Sequence, residues 1–334
     1  TMWCPPFDYF QSHGIELAAE VEEVRKDLPI APLADELLGP VAKRIMGSAR
    51  ELGYEWEKLD KAIFQDRCKP GHYPYRARWN SRHYLREAVA HGADVRSQAE
   101  VRRVLLEGKR ARGVAFSANG TEQEVLASRV VVCAGGIGSP QLLQASGIGS
   151  IGLGFFCDPL IAVFGTAEGI QDVGEFPMAA GIHLPDEGYM MTDLPVPKQT
   201  YQMLTLSALR LDRLFAHSRT LTIMVKIRDE IAGHVSSRKM RRVFGPPERE
   251  KLASGYRRSK EILRRAGATK IFKSRVTAAH PGGSIRIGEH VDANLQTEYE
   301  GLYVCDCSVI ADPWGMPPTL TLLGLAKRLA KHLA

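Results

Sequence analysis

Three consecutive valines, Val130-Val131-Val132, lead directly into Cys133-Ala134-Gly135-Gly136-Ile137-Gly138-Ser139-Pro140. Apolar side chains on both faces of so short a strand point to a parallel sheet covered on both sides. Ala134, Gly135 and Gly136, at the strand's carboxyl end, are small enough to let a ligand approach the backbone closely. Ser139 and Pro140 then read as the cap and first position of a helix. Leu142 and Leu143 would bury that helix, and Ser146-Gly147-Ile148-Gly149 would end it. The segment is thus a strand, a glycine turn and a helix, either as a plain βα connection or as a cofactor-contacting turn.

The tail adds a second constraint. His280-Pro281-Gly282-Gly283 places a histidine in a glycine turn. An imidazole titrates near working pH, so it can take up a proton without being permanently charged. Downstream, Leu302-Tyr303-Val304-Cys305-Asp306-Cys307 sets an acidic residue in an apolar strand, and Pro317-Pro318 opens a helix with a stripe of Leu322, Leu325, Ala326, Leu329 and Leu333. The free N–H groups at such a helix start favour negative charge. This layout suits a redox cofactor held beside a proton acceptor, with His280 as the candidate base and His290 as a surface histidine.

The remaining elements follow from periodicity. Helical spacing recurs over 15–28 and 41–52, and Ser81 reads as an N-cap for a helix to about His91. Strands over 101–106, 112–117 and 122–127, with Asn119-Gly120 as a hairpin turn, make an antiparallel meander. Further strands are expected over 162–165, 200–206 and 221–227, and a helix from Pro247 to Arg265 closed by Gly267.

Composition excludes several classes. The chain has 334 residues, enough for two domains, and its net charge of +6 is too mild for nucleic-acid binding. The basic pairs at 238–239, 241–242, 257–258 and 264–265 read as solvated helix faces. Six cysteines, sparse and mostly in apolar runs, point to reduced, buried thiols and a cytoplasmic location. Cys305 and Cys307 lack the companion ligands a metal site needs. The longest apolar run, 151–165, is broken by Asp158 and Pro159 and is too short to span a membrane. Tyr189, Met190 and Met191 read as core, with a pocket lining as the other option.

Residues 133–149 resemble the second signature of the glucose–methanol–choline (GMC) family of flavoprotein oxidoreductases. The segments His280-Pro281-Gly282-Gly283-Ser284 with Arg286-Ile287-Gly288, Asn294-Leu295 with 302–308, and Pro318-Thr319-Leu320-Thr321 resemble its histidine motif, flavin-contacting strand and terminal helix. The resemblance covers roughly residues 75–150 and 275–334. It implies an α/β (α+β overall) fold, with an incomplete FAD-binding Rossmann-like domain and an antiparallel-sheet substrate domain. It divides the chain into a helical substrate-domain or lid segment (1–75), FAD-binding parts at 76–158 and 273–334, and a substrate-binding domain at 159–272.

The resemblance further implies FAD as cofactor and a small-molecule alcohol as substrate, with His280 as general base. The implied FAD contacts are Val101, Ala134, Gly135, Gly136, Ser139, Asp306, Cys307, Pro318, Thr319 and Leu320. Two departures stand out. No G-x-G-x-x-G turn precedes residue 130, and the one literal match, at 147–152, follows a helix instead of a strand. The chain therefore reads as the family without its opening segment: a fragment, a chain completed by a partner that supplies that segment, or one that has lost FAD. Pro317 stands where the family carries a second histidine or asparagine, and its side chain can neither accept nor donate a proton. The leading expectation is FAD-dependent oxidation of an alcohol to a carbonyl; the alternative is an inactive relative serving as a binding or scaffold subunit.

Overall fold

The structure, a computed structural model, describes residues 1–171, 174–237 and 239–334. Its largest sheet is antiparallel, in the order Thr269–Lys273, Pro159–Thr166, Thr220–Ile227, Tyr189–Asp193, Ala180–Leu184 and Glu57–Lys58, with Thr277–Ala278 beside the start of Pro159–Thr166. Strand alternation decides what lies on each face. Leu221, Ile223, Val225 and Ile227 join Ile161, Val163, Tyr189 and Met191 in a core closed by the helices Pro40–Glu51 and Pro246–Arg265. The second helix packs closely because Gly255 has no side chain: a Cβ there would sit 2.2 Å from Val225. Met224 and Lys226, one residue out of phase, fall on the opposite face.

A parallel pair, Val130–Val132 with Leu302–Val304, forms the second centre. Its core joins Val130, Val132, Leu302 and Val304 to Leu320, Leu325 and Leu329 of the terminal helix Thr319–Leu333. Leu17, Val21 and Val24, on and just before the helix Ala18–Asp27, cover that helix from outside. The meander Ala99–Glu107, Arg110–Ala118 and Thr121–Leu126 packs alongside. Its hairpin turns at Asn119 and Gly120, both at positive φ. The architecture is the mixed α/β arrangement expected, with one departure: Val131 is 40% exposed. Among the described residues, the second edge of Val130–Val132 has no strand partner.

Several local expectations need correction. Residues 200–206 are helical, within Lys198–Ser207, not a strand. Tyr201 and Thr205 are the buried positions, and Thr205 Oγ1 donates to Tyr201 O at 2.7 Å; their spacing of four fits either period, and the helix wins. The helix after the valines starts at Gly135, so Pro140 lies inside it and not at its first position. His290 is not a surface residue: its Nδ1 accepts from Arg286 N at 3.0 Å, and its side chain is 8% exposed. Arg242 is likewise buried, paired with Asp229 and Glu248, whereas Arg257, Arg258, Arg264 and Arg265 do lie on a helix. Arg238 lies outside the described residues. Of the cysteines, Cys68, Cys157 and Cys307 are buried, Cys305 is half-buried, and Cys4 and Cys133 are exposed; all six are free thiols.

Candidate active site

The glycine turn is fastened by the strand beside it. The Asp306 carboxylate accepts from Gly135 N at 2.9 Å and Ser139 Oγ at 2.5 Å through Oδ2, and from Ser308 N at 2.8 Å through Oδ1. Ser139 Oγ also accepts from Ala134 N at 2.9 Å. Both side chains are buried, so their hydrogen-bonding capacity goes inward to the backbone. Asp306 can take these N–H groups without a countercharge because charge-assisted bonds to a carboxylate are strong.

The two glycines differ. At Gly135, with φ +82°, a Cβ would meet nothing within 4 Å, so the turn faces open space. Gly136 has no such room: a Cβ there would fall 1.9 Å from Pro281 O. Its smallness admits the histidine loop. Pro140, which lacks an N–H, frees the Gly136 carbonyl, and Ser284 Oγ donates to it at 2.8 Å.

That stitching delivers His280. Its Nδ1 lies 3.2 Å from Asp158 Oδ2 and 3.2 Å from Lys226 Nζ, which are 3.0 Å from each other. The Asp158 and Lys226 side chains are almost wholly buried, while that of His280 is 32% exposed. Both of these contacts of the His280 ring run through Nδ1. Asp158 and His280 both take positive φ, +45° and +53°, conformations that cost free energy in non-glycine residues and persist only where surrounding structure fixes them. Asp229 does part of that, accepting from Cys157 N at 3.0 Å and Asp158 N at 3.2 Å. Burial pushes Lys226 below the ordinary lysine range, and Asp158 opposes the shift. Cys307 Sγ donates to His280 O at 3.7 Å, and burial raises its thiol, so it stays neutral.

Sequence reasoning missed Asp158 and Lys226 as site residues. Each left a trace, a charged residue inside an otherwise apolar stretch (151–165 and 221–227). A buried charge demands a partner.

Three of the other expected residues line two cavities. Val101 and Ala134 line one of about 620 Å³ along Val130–Val132. Thr319 lines another of about 520 Å³ with Lys61, Trp79, Asn80, Phe176 and Leu322. Pro317, Pro318 and Leu320 are buried beneath the helix start. Gly315 presses against Arg228, where a Cβ would meet the backbone nitrogen at 2.7 Å, so the turn into the helix crosses the end of the Lys226 strand. The open face of Gly135 and the cavity beside Ala134 leave room in which the ring and sugar chain of a flavin would be held, while Thr319 borders the separate cavity. The sequence carries no turn for its pyrophosphate in strand–turn–helix context.

A parallel βα unit with an open glycine turn, joined to an antiparallel sheet at a histidine, defines the class: a mixed α/β protein. Two family profiles described as GMC oxidoreductase match residues 10–157 and 212–326, and the chain belongs to that family. It is 24% identical over 325 residues to an uncharacterized protein of Methanocaldococcus jannaschii, covering 93% of this chain and 79% of that one. It is 24% identical over 331 residues to a long-chain-alcohol oxidase of Arabidopsis thaliana, covering 76% of this chain and 44% of the plant protein. The crystal structure of pyridoxine 4-oxidase from Mesorbium loti superimposes with a TM-score of 0.69 at 18% identity, covering 91% of this chain and 71% of that one, and supports the fold. Among the described residues, no helix is long and apolar enough to cross a membrane.

Proposed function

We propose that this chain carries the proton-handling half of an FAD-dependent alcohol oxidoreductase that converts a small-molecule alcohol to its carbonyl. The supporting observation is His280: its imidazole is pinned through Nδ1 by the buried side chains of Asp158 and Lys226, and a third of the side chain remains accessible. Bound FAD would accept the hydride released from the carbinol carbon. Within the chain, His280 takes the hydroxyl proton. Ala134, Gly135 and Val101 border the space for the sugar chain and ring, and Pro318, Thr319 and Leu320 set a helix start that favours negative charge. Buried Pro317 offers no second acid or base, so His280 works without a partner at that position. General-base catalysis of this kind contributes about 10²–10⁴-fold.

The test is to add FAD to the purified protein, confirm binding by flavin absorbance, and follow anaerobic bleaching by a panel of sugar, aliphatic and aromatic alcohols. Bleaching that falls by about 10²-fold or more in His280→Gln supports the reading. Equal rates in both proteins refute it.

A second reading draws on the open edge of Val130–Val132. A strand contributed there by further polypeptide, from a partner chain or a longer form of this one, would complete the sheet on which the cofactor lies. On that reading, the isolated chain neither binds nor reduces FAD and serves as a binding or scaffold unit. FAD uptake that appears only when such a segment is supplied distinguishes the two.

A further inference from the structure

His280 Nδ1 faces two partners at equal distance, and it can serve only one of them with one lone pair or one proton. With Lys226 as a neutral amine, Nδ1–H donates to Nζ, Nζ–H donates to Asp158 Oδ2, and Nε2 is left with a bare lone pair. With Lys226 as an ammonium, Nζ donates both to Asp158 Oδ2 and to Nδ1, and Nε2 carries the hydrogen. The two arrangements differ by one proton, and the ring is neutral in both.

We propose that Lys226 is the store for the proton His280 takes up: as Nε2 gains the substrate proton, Nδ1 releases its own to the Lys226 amine, and Asp158 receives the ammonium so formed. The inference rests on the reading of His280 as the base. The balance is complete. The substrate O–H bond breaks as an N–H bond forms at Nε2, and the Nδ1–H bond breaks as one forms at Nζ, with no electron transfer and no buried imidazolium. Lys226 acts through His280 and needs no contact with substrate.

Three features carry this beyond a structural ion pair. Among the described residues, the ammonium has acceptors where the relay needs them, Asp158 Oδ2 and Nδ1. Asp158 Oδ1 is buried without a partner among the described residues, so the second carboxylate oxygen meets no donor there. Ordinary histidine and lysine differ by about four pKa units, too far apart for easy proton exchange. Burial of Lys226 narrows that gap.

The surrounding groups leave this pair in control. Asp229, two residues beyond the Lys226 strand, is occupied by Cys157 and Asp158 N–H groups and faces Arg242; burial raises its carboxyl to about 6. Cys307, on the short turn opposite, is held neutral by burial. His183, on Ala180–Leu184, is pushed down by burial and then by Lys226 itself.

The experiment uses the purified chain without added cofactor, labelled with ¹⁵N at histidine, with the His280 signals assigned by their loss in His280→Gln. As pH falls through a single transition, Nε2 should change from pyridine-like to pyrrole-like while Nδ1 does the reverse. In the double variant Asp158→Asn/Lys226→Met, which removes both charges together, the exchange should vanish and the ring should titrate to imidazolium near the ordinary value of about 6.5. A wild-type ring that goes directly to imidazolium, or shows no change of tautomer, overturns the relay. So does a double variant that behaves as the wild type. The base reading fails separately: His280→Gln that still bleaches FAD at the wild-type rate removes the catalytic role, whatever the tautomer exchange shows.

Discussion

Substituting alanine at the two adjacent glycines should separate a turn that faces open space from one that holds the histidine loop. At Gly136 the new Cβ would lie 1.9 Å from Pro281 O, 2.4 Å from Pro281 C and 2.8 Å from Gly282 N. These are backbone atoms, so no side-chain rotation relieves them, and the Pro281–Gly282 peptide must retreat by about 1 Å to reach the shortest tolerable contact. That peptide is clamped. Gly282 N donates to Phe156 O at 3.0 Å, Phe156 N donates to Gly282 O at 2.9 Å, and Gly283 N donates to Cys307 O at 3.2 Å. Overpacking costs about 1–3 kcal/mol, and weakening one or two such bonds adds about 0.5–1.5 kcal/mol each. Gly136→Ala should therefore lose about 2–5 kcal/mol in urea unfolding and displace His280, the residue next to Pro281. At Gly135 the Cβ meets nothing, and the only cost is φ +82°, about 1–2 kcal/mol. Gly135→Ala should leave the His280 imidazole signals in place. If Gly136→Ala unfolds within about 0.5 kcal/mol of the wild type and its His280 resonances do not move, the claim that Gly136 exists to seat the histidine loop is wrong.

Three further outcomes follow from the buried charges. Lys226→Met should cost about 3–5 kcal/mol, because it strands the Asp158 carboxylate, whereas adding Asp158→Asn should recover most of that loss; urea midpoints for both proteins check this, and asparagine tolerates the positive φ at 158. Asp306→Asn exchanges an acceptor for a donor facing Gly135 N, Ser139 Oγ or Ser308 N, and should cost about 2–4 kcal/mol by the same measurement. Burial raises Asp193 to about 6, above its unfolded value. Its contribution is therefore fully present below about pH 4 and is lost as pH rises through about 6, by roughly 3 kcal/mol. Asp193→Asn should shrink the difference between stabilities measured at pH 4 and pH 7 by about that amount, and an unchanged difference would refute the assignment.

Much of the framework was readable where one physical signal dominated. The terminal helix, expected from its leucine stripe, spans Thr319–Leu333, and the helix expected from Pro247 spans Pro246–Arg265. Proline at the start and an apolar face leave few alternatives there. Residues 200–206 were misread because Tyr201, Met203 and Thr205 alternate like a strand while Tyr201 and Thr205 also lie one helical turn apart. The role of Gly136 was hidden for a different reason. A small residue announces a close approach but not what approaches, and the answer lay 145 positions away at Pro281. His280 was legible as a chemical candidate from its glycine turn. Its partners were not, since Asp158 and Lys226 sit 122 and 54 residues away, and the pairing of Pro159–Thr166 with both Thr220–Ile227 and Thr277–Ala278 brings them together.

The same long-range contacts show which half of the site stands alone. Asp306 ties the turn at Gly135 and Ser139 to the strand Leu302–Val304, Ser284 ties Gly136 to the histidine loop, and Phe156 ties that loop to the segment bearing Asp158. No member of this chain of bonds involves the open edge of Val130–Val132. The orientation of His280 against Lys226 and Asp158 is therefore fixed by the residues present, whereas the space beside Ala134 and Val101 runs along the open edge of Val130–Val132. Cofactor retention and proton handling should then respond to different perturbations. A charged residue at the exposed Val131 should alter the cavity along the strand and FAD uptake, yet leave the His280 tautomer exchange unchanged. A coupled loss of both would show that the open edge and the histidine form one cooperative unit, contrary to the bonding described.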